Sequence, residues 1–181
     1  MTRALRFKLI GLSLAAALGL VGSTLLLLPA GAVQKVREGS SPSLSVSDMG
    51  QRLVLSAPVA PSVTTDPFIF GVGPGALDWQ LRHGHVRLGA GGVFQANIDG
   101  LVVTTTGVNP LPYVAATVFC NGAAVATTAP VSFSSTGDAR IHAVVGLPAP
   151  CSAPAVLFNP AKTDSSSGVD TSAYIAFDGT A

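Results

Sequence analysis

The sequence predicts an all-β protein: a single immunoglobulin-like two-sheet β-sandwich with one disulfide, preceded by an N-terminal signal helix and a linker. Three observations carry this expectation. Apolar residues recur at every second position in short runs after Phe68, Gly, Pro, Asn and Asp separate those runs, and both cysteines lie in the same C-terminal region.

The N-terminus explains the compartment. The first eight residues carry Arg3, Arg6 and Lys8 and no acid, and an uncharged stretch follows from Leu9 to Val33. A basic start and an apolar core are the layout of an export signal. Ala30-Gly31-Ala32 after Pro29 predicts cleavage before Val33. An uncleaved membrane anchor is the alternative, because about twenty apolar residues can span a bilayer. Residues 1–32 are therefore read as signal peptide or anchor. The basic flank places the rest outside in both cases, secreted or held at the membrane by residues 9–32.

Losing residues 1–32 removes three of ten basic side chains and none of the nine acids. The remainder is slightly acidic, which argues against a nucleic-acid partner. Only 10% of the chain is charged, against about 25% in an average domain. Its surplus of Ala, Val, Gly and Thr suits buried strands.

Residues 33–67 read as a Ser/Pro-rich linker, with Gly39-Ser-Ser-Pro42 and Pro58-Val-Ala-Pro61 its most irregular parts. A short strand fits at Arg52 to Ser56, confined to a sheet edge by Pro58 and Pro61. The sandwich domain is expected over residues 68–181. In Asp78 to Leu88, a two-residue turn at His83-Gly84 would pair Leu81 with Val86 and Trp79 with Leu88. Asp78, Gln80, Arg82, His85 and Arg87 would then face solvent.

Val93 to Asp99 alternates Phe94, Ala96 and Ile98 with polar residues, and Gly100 bends the chain before Leu101 to Thr105. Val114 to Cys120 meets Asn121-Gly122, a strong hairpin signal, and returns as Ala123 to Thr127 with Val118 opposite Val125. Ile141, Ala143, Val145 and Leu147 form another alternating set, with Arg140 and His142 facing outward. Strands are expected at Ala155 to Phe158 and Ala173 to Phe177, joined by a polar loop at Asp164 to Asp170. About eight strands at this spacing suit a sandwich, with a jelly roll or small barrel as the alternative.

Cys120 and Cys151 are the only cysteines, and in an oxidising compartment an even count pairs. A Cys120 to Cys151 disulfide is expected to stabilise the fold by ~3 to 4 kcal/mol.

Chemistry is sparse. His83, His85 and His142 are the candidate metal ligands, but the strand pattern spreads them over solvent. A His-x-His on a sandwich with one disulfide resembles the copper and zinc superoxide dismutases, yet three histidines are too few for their two-metal site. The nucleophile elbow G-x-S-x-G is absent. Glu38 lies in the linker, so an acid and base pair would need aspartates, and Asp99, Asp138 and Asp178 each sit next to Gly as turn residues do. Asp164 to Asp170 departs from the calcium-loop pattern. Gly71-Val-Gly73-Pro-Gly75 opens no helix and reads as a turn. Tyr113 and Tyr174 read as strand residues with surface hydroxyls, and Trp79 as core.

Val114-Ala-Ala-Thr-Val-Phe-Cys120-Asn-Gly122, Gly137-Asp-Ala-Arg140, Cys151-Ser-Ala-Pro-Ala-Val-Leu157 and Tyr174-Ile-Ala-Phe-Asp-Gly179 are similar to segments of small secreted β-rich proteins of high-GC bacteria. The resemblance spans residues 68–181. It implies the same β-rich domain and the same cysteine pair, and brings no catalytic motif.

The expectation is a secreted, non-enzymatic protein with no cofactor, structural or binding, whose strand faces or loops contact an extracellular or cell-surface partner. The membrane is involved only through an uncleaved N-terminal segment. The alternative is a metal-dependent or hydrolytic extracellular enzyme using His83, His85 or His142.

Overall fold

A computed structural model describes residues 52–179. The signal or anchor segment, the linker up to residue 51 and residues 180–181 lie outside the described residues. Among the described residues no helix is long and apolar enough to cross a membrane.

The chain is all-β. In order, its strands are β1 (Leu53–Pro61), β2 (Gly73–Pro74), β3 (Trp79–Gln80), β4 (His83–Gly89), β5 (Val93–Asp99), β6 (Val102–Val103) and β7 (Tyr113–Cys120). There follow β8 (Ala123–Thr127), β9 (Val131–Ser132), β10 (Ala139–Val144), β11 (Pro154–Ala161), β12 (Ala173–Tyr174) and β13 (Ala176–Asp178), with one 3-10 turn at Ser166–Gly168.

Instead of two separately bonded sheets, nine strands share one hydrogen-bonded sheet in the order β10-β5-β4-β1-β13-β11-β7-β8, with β9 also on β7. β2 pairs with β12 in parallel, and β3 pairs with β6. The long sheet curls on itself. Leu88, Phe94, Ile98 and Ile141 from one end share an apolar core with Val114, Val118, Val156 and Phe158 from the other. Burying each such side chain is worth about 1.5–3 kcal/mol.

β1 is where the sheet turns over, and it extends the short edge strand expected at Arg52 to Ser56 as far as Pro61. Leu53 to Pro58 pairs with β4, and Val59 to Pro61 pairs with β13. Each half is therefore bonded along one side only. Pro58 ends the first register and Pro61 the second, so neither missing N–H breaks a ladder. Strand formation does not stop at prolines placed where the partner changes.

The hairpin expected at His83-Gly84 does not form. Trp79 pairs with Val103 on β6, while β4 begins at His83 and lies between β1 and β5. The burial pattern holds even so: Trp79, Val86 and Leu88 are core, and Arg87 is exposed. Gly84 is needed for close approach rather than for turning. A Cβ there would lie 2.8 Å from the Val59 Cβ. The Trp79 indole N–H has no hydrogen-bond partner, so its ring serves as apolar volume at a cost of about 1–3 kcal/mol.

Asn121-Gly122 does turn the chain, with φ of 54° and 81°, the left-handed pair that a tight hairpin needs. A bulge between Val118 and Phe119 shifts the expected register, and Val118 faces Ala126 rather than Val125. Cys120 and Cys151 are joined, as expected. Asn121 binds the same segment, donating to the Pro150 carbonyl and accepting from the Ser152 N–H.

β7 and β11 are buried on both faces. Val156 and Phe158 point into the main core, whereas Phe119, Ala155, Leu157 and Tyr174 form a second cluster on the opposite side, with Val72. Beside that cluster Thr117 Oγ1 donates to Asn159 Oδ1 at 2.7 Å, and Asn159 Nδ2 donates to the Ala173 carbonyl at 2.8 Å. Residues 62–75 lie over this side, held by Tyr174: the Ser62 N–H donates to the Ile175 carbonyl, and the Gly75 N–H to that of Tyr174.

Candidate functional site

The three histidines fall on one outer face but not at one point. On β4, His83, His85 and Arg87 alternate outward. His83 is opposite Asp99 on β5, His85 opposite Asn97 and Arg87 opposite Gln95. His83 thus belongs to a strand and not to the turn tip expected of it. β10 extends the rows, with Arg140 beside Asn97 and His142 beside Gln95. β5 therefore separates His142 from the other two imidazoles, a gap of about 10 Å at ordinary strand spacing. A shared metal needs donors within about 2.0–2.1 Å of the ion. Among the described residues no group of three or more His, Cys, Asp or Glu is placed to hold a metal ion.

The aspartates are tied into structure. Asp138 accepts from Thr136 Oγ1 at 2.6 Å and from the Gly100 N–H at 3.0 Å. The Thr136 bond is the main reason its carboxyl sits below the ordinary aspartate range. Asp78 is held low in the same way by the Thr64 N–H and hydroxyl. Asp178 is buried in β13 and accepts from the Val156 N–H of β11, a strand tie rather than the turn residue expected. Asp170 caps Ser172.

A second constellation lies over the outer cluster. Asp66, Pro67, Phe68, Ile69, Phe70, Tyr174 and Phe177 line a half-open cavity of about 480 Å³. Phe68 is 75% exposed and Phe70 45%. Tyr174, expected to show its hydroxyl at the surface, is instead buried and donates to the Pro67 carbonyl at 2.8 Å. Burial, and secondarily the nearby Asp66 charge, raise its phenol above the ordinary value. Its ring meets Phe177 edge-on, centroids 5.7 Å apart.

Phe70 has φ of 51°, uncommon for a bulky residue and costing about 1–2 kcal/mol. Its ring stacks on Phe119 at 4.9 Å and lies over the hairpin turn, 3.6 Å from where a Gly122 Cβ would be. Ile69 and Val72 exchange both backbone hydrogen bonds around Phe70-Gly71. The loop is therefore closed, and its two rings are displayed rather than folded inward.

No family model, curated protein or solved structure matches the chain.

The geometry can do two things. The aromatic cavity can take an apolar group, with the Asp66 carboxylate at its margin. The strand face can donate hydrogen bonds and positive charge. Sequence reasoning missed the first because Phe68 and Phe70 stand before the alternating runs begin. The signal available was a Phe-Ile-Phe stretch bounded by Pro67 and Gly71, apolar residues inside a turn where polar ones are usual.

Proposed function

We propose that this is an exported, non-enzymatic binding module that takes an apolar ligand into the cavity between the Phe68–Phe70 loop and the outer face of β12–β13. The observation that carries it is the strained, exposed display of Phe68 and Phe70 over a cavity of about 480 Å³. Small-molecule sites fall at about 300–1,000 Å³ and are mostly apolar with a few polar groups. Exposed apolar clusters of this kind mark binding surfaces, and backbone strain held at one place fits a role there. Export is supported by the basic and apolar N-terminal layout and by the disulfide.

The enzyme reading through His83, His85 or His142 has less support, because β5 stands between His142 and the other two.

The neutral fluorophore N-phenyl-1-naphthylamine tests the proposal. Its emission should rise on mixing with the full chain, and the rise should fall at least about tenfold in apparent affinity in Phe68→Ser. No enhancement, or an unchanged one in the variant, would overturn the reading.

A further inference from the structure

We infer that the outer face of β4–β5–β10 carries a second site, for a small oxyanionic ligand, separate from the aromatic cavity. His83, His85, Arg87, Gln95 and Asn97 line a shallow depression of about 320 Å³. Every one of these side chains offers N–H donors, and none is a carboxylate. Arg87 forms no ion pair, and the three imidazoles no hydrogen bond, among the described residues.

The charge around the depression is one-sided. Asp99, opposite His83, is occupied by Arg140 at 2.6 Å. The flanking strand β1 contributes Ser56 opposite Arg87 and Pro58 opposite His85, both uncharged. β10 adds His142, and Arg140 there is offset by Asp99. Asp138, at the far end, is bound to Thr136, Gly100 and Arg82. A chain with more acids than bases beyond residue 32 thus gathers all three of its histidines and two arginines on one face.

Oxyanions are the chemistry this suits. Arg87 can meet two oxygens of a carboxylate or phosphate with parallel N–H bonds. His83 and His85 add N–H donors. The Gln95 and Asn97 amides can both donate and accept, which suits hydroxyls next to the anionic group.

Calorimetric titration of the full chain with glucuronate, inorganic phosphate and glucose tests the site. Glucuronate or phosphate should bind, with glucose weaker than either. Arg87→Gln, an exposed change, should weaken anion binding about tenfold or more, the loss expected for a hydrogen bond to a charged group. Lys162→Gln, on a distant loop, should leave it unchanged. Tighter glucuronate would assign the site to acidic sugars, and tighter phosphate to phosphorylated ligands. The inference is overturned if neither anion binds, if Arg87→Gln has no effect, or if glucose binds as well as glucuronate.

Discussion

The Tyr174 hydroxyl donates to the Pro67 carbonyl at 2.8 Å across 107 residues of sequence. This bond fastens the Phe68–Phe70 loop to the strand pair beneath it. It also makes a buried phenol the floor of the aromatic cavity, so stability and the proposed binding site share one side chain.

That sharing predicts alkaline sensitivity. The folded phenol ionises above its ordinary value because of burial and the Asp66 charge, so folding favours the protonated form. The stabilisation is complete below about pH 10, where the unfolded tyrosine titrates, and is lost as pH rises through the folded value. Urea unfolding should give a midpoint that drops as pH rises above about 10, and a smaller drop in Tyr174→Phe. Equal drops in both would place the alkaline loss elsewhere.

Phe70 separates stability from binding. Phe70→Asn replaces a bulky residue at φ of 51° with one that tolerates this region, returning about 1–2 kcal/mol of strain. It also loses the Phe119 stack, worth about 0.5–1.5 kcal/mol. With the loss of the ring's half-buried area, the unfolding free energy should fall by no more than about 2 kcal/mol while apolar probe binding disappears. Retained binding would mean that the ring is not part of the site.

Gly84 distinguishes the strand crossing from a hairpin. In a turn, Gly84→Ala would be tolerated or mildly unfavourable, but here the new methyl would lie 2.8 Å from the Val59 Cβ and 3.0 Å from the Leu81 Cδ2. Overpacking of this kind costs about 1–3 kcal/mol. Denaturant titration of the variant should show that loss, and a neutral result would contradict the close approach of β1 to β4.

Removing the disulfide should cost more. Cys120 and Cys151 are 31 residues apart, and closing such a loop stabilises by ~3 to 4 kcal/mol in the chain-entropy treatment. The paired Cys120→Ala, Cys151→Ala variant should lose that much in urea unfolding. A change below about 1 kcal/mol would assign the tie to the hydrogen bonds of Asn121 instead.

Local chemistry was readable from sequence wherever one rule governed it. Phe94, Ala96 and Ile98 alternate with wet residues because β5 has one core face, and Asn121-Gly122 adopts the left-handed pair its side chains allow. Relations set by distant strands were not readable. Pro58 and Pro61 look like breakers until the partner of β1 changes between them. Gly84 looks like a turn residue until Val59 packs against it. Tyr174 shows an ordinary strand context, and only the return of residues 62–75 over β12 buries it. Continuous apolar runs such as Val114 to Cys120 lack the alternation of a half-wet strand, because that strand is covered on both sides.

The most direct test of the proposed apolar site is to map N-phenyl-1-naphthylamine onto the protein by NMR, following backbone amide and aromatic resonances during titration. The account predicts that the shifts concentrate at residues 66–70, Tyr174 and Phe177, the lining of the aromatic cavity, with the histidine face unmoved. Shifts centred on other residues, or none at saturating probe, would contradict it.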